Sequence, residues 1–196
     1  MTSPLARPPV PESLKALFET RVQDYRATVT RCLEVELPAT VAARLRSWRG
    51  RELVVPPDLP EAWVAGCATP GLAGLEISRD SPDRWLSVPE LDKVGGALTG
   101  CALAIAETGT LILDGGKTQG RRVLSLLPDY HLCVVFAHQL VRTVPEAVRA
   151  MDRLFRDGPR PFTLVSGPSA TSDIELVRVE GVHGPRTLDV ILVTDP

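Results

Sequence analysis

Apolar residues in this chain recur with two periods, one helical and one extended, and the alternation between them predicts the elements. From Glu12 onward, Leu14, Leu17, Phe18, Val22, Tyr25 and Val29 fall three or four residues apart, the spacing of a single helical stripe. The run C-L-E-V-E-L, residues 32–37, alternates apolar and acidic side chains as a half-exposed strand does. P-A-T-V-A-A-R-L-R-S-W-R then opens on a proline, tolerated at a helix start, and Gly50 stops it. A short strand is predicted over 52–55, a Pro-rich loop and a mixed segment over 61–74, and another strand over 75–78. Residues 89–99 read as a helix ending near glycines. Residues 101–114, C-A-L-A-I-A-E-T-G-T-L-I-L-D, hold two apolar stretches broken by a small polar patch, so they read as strand, break, strand. Helical spacing returns over 119–127, a nearly continuous apolar strand follows over 130–136, and 145–155 is amphipathic with proline at its start. Buried strands are predicted over 162–166 and 187–193.

Strands alternating with helices require crossover connections, and strands covered on both faces read as unbroken apolar runs. The predicted class is therefore α/β: a single Rossmann-like domain with a mostly parallel sheet flanked by helices, plus an N-terminal helix. Pro8, Pro9 and Pro11 make residues 1–11 a flexible tail, leaving 12–196 as the domain. A chain of 196 residues can bury roughly 70% of its unfolded surface, so no covalent staple is required. In open sheets of this class ligands collect beyond the carboxyl ends of the strands. The patches 107–110 and 167–172 each follow a predicted strand, and both are expected on one edge of the sheet.

Charge narrows the partners. Twenty-two basic and 24 acidic residues give a net charge of -2, no field for a polyanion, so nucleic acid is not an expected partner. The cysteines, Cys32, Cys67, Cys101 and Cys133, stand more than thirty residues apart, without the C-x-x-C pairs of an iron-sulfur, zinc or redox site. Buried reduced thiols, no metal and no cofactor are expected. No apolar run approaches the roughly 20 residues that span a bilayer, and the first residues lack an apolar signal core. A soluble, cytoplasmic protein without membrane insertion is the expectation.

The segment G-P-S-A-T-S-D-I-E-L-V-R-V-E-G-V-H-G-P, residues 167–185, sets glycines, hydroxyls, acids and a histidine between apolar runs, a composition suited to a ligand loop. Gly167 and Pro168 open it, and Ser169, Thr171 and Ser172 can cap a helix beginning at Asp173 or Ile174, whose exposed amides attract anions. Asp173 and Glu175 oppose a second negative charge if they point inward, and an ordinary strand-to-helix turn has the same composition. His183, between Gly181 and Gly184, can titrate near neutral pH as acid, base or ligand, or simply be solvated. Glu107, followed by Thr108, Gly109 and Thr110, interrupts an apolar run. Burial there would raise its pKa and suit it to base or nucleophile work, unless a backbone amide or arginine satisfies it. His131 and His138 flank an apolar strand as structural residues. D-G-G-K-T-Q-G-R-R, residues 114–122, is not a P-loop; it reads as a basic rim over an anionic substrate or as a mobile hairpin.

A-E-T-G-T-L-I-L at 106–113, L-P-D-Y-H-L-C-V-V at 127–135, and G-P-S-A-T-S-D-I-E with G-V-H-G-P at 167–185 resemble the lactate utilisation protein C (LutC/YkgG) family, the LUD domain. The resemblance implies a fold related to NagB, ribose-5-phosphate isomerase and CoA-transferase proteins. It also implies a component, itself non-redox, of a bacterial system oxidising L-lactate to pyruvate, with iron-sulfur subunits as partners and a small anionic ligand in the strand-end cleft. The alternatives are an independent enzyme resembling CoA transferases or sugar-phosphate isomerases, with Glu107 and His183 as its catalytic pair, and a small-anion-binding regulatory module. Ala170 departs from the pattern, standing where arginine is expected in the family.

Overall fold

The computed structural model describes residues 9–154, 158, 160–171, 179–180 and 184–194. Helix α1 (Glu12–Asp24) leads into β1 (Thr28–Leu33), and α2 (Leu37–Trp48) into β2 (Glu52–Val55). A short α3 (Glu61–Val64) precedes β3 (Glu76–Arg79), and α4 (Val88–Lys93) precedes β4 (Gly96–Gly100). The hairpin β5 (Leu103–Ile105) and β6 (Thr110–Leu113) is followed by β7 (Tyr130–Phe136), β8 (Leu140–Val141) and α5 (Val144–Leu154). Then come β9 (Thr163–Val165), β10 (Ala170–Thr171), β11 (Val179–Glu180) and β12 (Thr187–Thr194).

The fold is α/β, as the periodicity predicts. Six strands form a sheet in the order β1-β12-β7-β4-β2-β3, every pair parallel. Its central strand β7 is buried on both faces, which is why its sequence reads as one apolar run. Leu132 and Val134 join the core under α2, with Val41 and Leu45, while Cys133 and Val135 join a second core with Phe18 and Val22 of α1. That second face is closed largely by another sheet rather than by helices alone. A four-stranded sheet in the order β8-β5-β6-β9 packs there through Ala104, Leu111 and Leu113, and its outer face, Ile105 and Ile112, is covered by Ala147 of α5.

Several boundaries depart from the sequence pattern for local reasons. β1 ends at Leu33, and 34–36 form a 3-10 turn because the Glu36 carboxylate accepts the Leu33 N–H at 2.9 Å; Val35, which mimicked a strand position, is 84% exposed. The helix expected over 89–99 stops at Lys93, and its second half is β4. The helix expected over 119–127 is a 3-10 turn, Arg122–Ser125. β9 is an edge strand with Leu164 exposed, not a buried one. Tyr25 and Val29 continue the apolar stripe of α1 beyond its end, Val29 already within β1.

Candidate functional site

The parallel sheet reverses its winding between β2 and β4: β3 lies outside β2 on one side, and β4, β7 and β12 run off on the other. Such a switch point opens a crevice beyond the carboxyl ends of the two strands, where α/β sheets of this kind bind ligands. Here the loop 114–122 lies across it, tied to both strands. Thr118 N–H donates to Asp58 Oδ2 at 3.0 Å just past β2, and Gly100 N–H at the end of β4 donates to the Thr118 carbonyl at 2.8 Å. Thr118 is held at φ +62°, a sparsely used conformation for a non-glycine residue, and these two bonds fix it. Inside the loop, Asp114 Oδ1 accepts Gly116 N–H at 2.8 Å, and Gln119 Oε1 accepts Asp114 N–H at 2.7 Å. Gly115 and Gly120 supply the remaining left-handed turns.

Beneath and beside this loop is a cavity of about 680 Å³, lined among others by Pro57, Trp85, Gly116, Arg122, Arg160 and Pro161. Its carboxylates are engaged: Asp58 by Thr118, Asp114 by Gly116 and by Arg160 at 3.5 Å. Lys117 on the loop and Arg122 on the rim are exposed, and among the described residues neither has a carboxylate partner. The opposite wall is built on Asp80, 0% exposed. Its carboxylate accepts Arg121 Nε at 2.7 Å, Arg121 Nη2 at 2.6 Å and Leu86 N–H at 2.9 Å. Arg121 also donates to the Leu86 carbonyl at 2.7 Å and lies over the Trp85 ring at 4.8 Å, so Trp85 is anchored while 46% of its surface stays exposed. The hydrogen bonds that Arg121 donates to the Asp80 carboxylate raise its pKa above its already high ordinary value.

The residues singled out from the sequence gather at a different place. Thr110 Oγ1 lies 2.7 Å from Thr108 Oγ1 and 2.8 Å from Ser166 Oγ, and Ser169 N–H donates to the Pro185 carbonyl at 2.8 Å, beside Gly184. The 107–110 patch, the start of the 167–171 segment and Gly184 are thus brought together, with Pro168 half-buried among them. The expected neighbours do meet, but at the end of the second sheet rather than at the carboxyl edge of the parallel one. Four residues separate β5 from β6, enough for an antiparallel hairpin and too few for a parallel crossover. Leu113 and Thr163, at the far end of the β6–β9 ladder, line the cavity, about 10 Å away at the rise of a strand.

Two glycines of this corner, Gly109 and Gly167, face the N-terminal helix and the turn after it. Gly109 and Gly167 have φ of +59° and +78°, and a Cβ on Gly167 would lie 2.5 Å from Cβ of Tyr25. Glu107 is exposed, not buried as its apolar flank suggested, because the chain turns outward after Ala106; its N–H donates to the Arg142 carbonyl at 3.0 Å. Ala170 and Thr171 pair with Glu180 and Val179 as a short antiparallel ladder. Ser172, Asp173, Ile174, Glu175, Gly181 and His183 lie outside the described residues.

Three buried polar groups were not anticipated as such. His131 is fully buried within β7, its Nε2 2.8 Å from Thr99 Oγ1, and burial pushes its pKa down to about 4. Asp189, an acid inside the last apolar strand, accepts the Tyr130 hydroxyl at 2.7 Å and Arg44 Nη2 at 2.6 Å, a network at the amino edge of the sheet. The Asp80 wall had a sequence signal, an acid and a tryptophan within the loop R-D-S-P-D-R-W. All four cysteines are buried and reduced; the adjacent Cys133 and burial push the Cys101 thiol well above the ordinary range. Among the described residues, no three His, Cys, Asp or Glu side chains cluster as metal ligands, and no helix is long and apolar enough to cross a membrane.

This architecture and these motifs have relatives. The chain is 51% identical over 176 residues to lactate utilization protein C of Deinococcus radiodurans, covering 90% of this chain and 77% of that protein. It is 34% identical over 118 residues to lactate utilization protein C of Shouchella clausii, spanning 59% of this chain and 51%, about half, of that relative. A crystal structure of a DUF162 family protein from Deinococcus radiodurans superposes with a TM-score of 0.75 at 43% identity, covering 92% of this chain and 96% of the other. The LUD domain pattern itself matches residues 90–193, from α4 through the loop over the switch point to β12, and with it the chain belongs to the LUD domain family.

Proposed function

We propose that the protein serves lactate utilisation, as a component without its own redox centre in a cytoplasmic system that oxidises L-lactate to pyruvate. The observation that carries this reading is the 51% identity to lactate utilization protein C of Deinococcus radiodurans over 90% of the chain. Its partners are then iron-sulfur subunits. The use of cysteine here supports assigning the clusters to them: Cys32 and Cys67 pack in one core and Cys101 and Cys133 in the other, each as an apolar side chain. The ligand site in this reading is the cleft over the switch point, where Arg122 and Lys117 favour an anion.

Deletion of the gene tests the role. The deleted strain is expected to lose growth on L-lactate while growing normally on pyruvate, and affinity capture from lactate-grown cells is expected to recover iron-sulfur proteins. Normal growth of the deleted strain on lactate as sole carbon source would reject it.

A further inference from the structure

The cavity beside the 114–122 loop has several times the room that lactate needs. Six non-hydrogen atoms occupy on the order of 100–200 Å³, taking a water's share of liquid volume as the scale. The cavity holds about 680 Å³, within the range that encloses ligands several times larger. Its walls divide into an aromatic part and a cationic part. Trp85 presents an indole with 46% of its surface exposed, and Arg121, itself fixed by the buried Asp80 carboxylate, holds that ring in place beforehand. Arg122 and Arg160 line the same cavity, and Lys117 is an exposed residue of the same loop. Arg121 is paired with Asp80 and Arg160 with Asp114, which leaves the Asp58 carboxylate against Arg122 and Lys117, so the net charge at the rim is positive.

We propose that this cavity binds a nucleotide, its base stacked on Trp85 and its phosphates held by Arg122 and Arg160. A flat ring suits the indole, and stacking on an aromatic side chain tolerates any base. Phosphate suits the planar, paired donors of arginine better than it suits lysine alone. The ligand is thus distinct from the hydroxy acid of the proposed pathway, and its binding is independent of whether the protein acts in lactate oxidation.

The test is calorimetric titration of the purified full chain with ADP and GDP, with adenosine, guanosine, ribose 5-phosphate and L-lactate as separate arms. At least one nucleotide is expected to bind, with its nucleoside and ribose 5-phosphate each weaker by about tenfold or more, since base and phosphate contribute separately. Trp85→Ala and Arg122→Ala are each expected to weaken that nucleotide by about tenfold. Arg122 is exposed, so its variant keeps the fold and stands as the deciding one if Trp85→Ala loosens the wall. Three results would overturn the proposal: neither nucleotide bound at about 1 mM, nucleotide binding unchanged in Arg122→Ala, or L-lactate bound as tightly as the nucleotide and lost in the same variant.

Discussion

Gly109 lies so close to Arg21 that a Cβ on it would sit 2.6 Å from the Arg21 carbonyl carbon, with the Val22 nitrogen at 2.7 Å. Both atoms are helix backbone and cannot rotate away, and Gly109 is also left-handed, at φ +59°. The glycine therefore lets α1 dock on the β5–β6 turn. Gly109→Ala is expected to cost about 2 kcal/mol or more, from strain and lost packing of Phe18 and Val22 together. Gly74→Ala, where a Cβ meets nothing within 4 Å, is expected to stay within about 0.5 kcal/mol. Urea unfolding of the two variants beside the parent measures both.

Arg121 is the partner that makes a fully buried Asp80 tolerable. Arg121→Leu leaves that carboxylate with the Leu86 N–H alone. Breaking a buried pair from one side costs about 3–5 kcal/mol, and with the Arg121 side chain 36% exposed the expected loss is nearer about 2–3 kcal/mol. The same variant frees Trp85 from its cation, so its fluorescence is expected to shift with the loss of stability. An unchanged unfolding midpoint would show that the wall of the cavity does not depend on this pair.

His131 makes stability depend on pH in a defined window. Burial holds its pKa near 4 in the fold against an ordinary 6.5, so between those values the unfolded chain binds a proton that the folded chain does not. The stability associated with neutral His131 is complete above about pH 6.5, falls as pH drops, and is lost by the time pH passes about 4. At pH 4.5 the loss amounts to roughly 2–3 kcal/mol. His131→Gln, which can still hydrogen-bond Thr99, is expected to lose less stability than the parent between pH 7.5 and pH 4.5 by about that amount. Parallel slopes in the two proteins would contradict it.

Where a strand is buried on both faces, its sequence states it. β2 and β7 have the bounds that their apolar runs predict, because nothing but burial decides them. β4 is the instructive failure. G-G-A-L-T-G holds a single β-branched residue, Thr99, and its glycines read as a helix stop, yet the glycines that end the strand serve close approach: a Cβ on Gly96 would lie 2.7 Å from the Trp48 ring, and one on Gly100 2.3 Å from Thr118 Oγ1. Those contacts join residues far apart in the chain and leave no local signature. The candidate site follows the same rule. That 107–110 and 167–171 carry something special is legible from their glycines and hydroxyls, and the structure packs α1 on Gly109 and Tyr25, just past that helix, on Gly167. The cavity depends on the order of strands, which no single segment encodes, so the acid and tryptophan of R-D-S-P-D-R-W do not by themselves point to a shared wall.

Glu107 is exposed, is tethered through its backbone to the Arg142 carbonyl, and does not line the cavity over the switch point. Glu107→Gln removes its charge without opening a void or stranding a buried partner, so stability is expected to stay within about 0.5 kcal/mol of the parent. That neutrality makes it a clean probe of chemistry, because a defect in the variant cannot be ascribed to misfolding. A general base or nucleophile would lose nearly all of its activity in this amide. If the working site is instead the cavity lined by Trp85 and Arg122, a deletion strain complemented with Glu107→Gln is expected to grow on L-lactate at the parental rate, and one complemented with Arg122→Ala more slowly. Growth rates of the two strains, normalised to protein level by immunoblot, decide between the sites: loss of growth with Glu107→Gln would return the chemistry to the 107–110 corner.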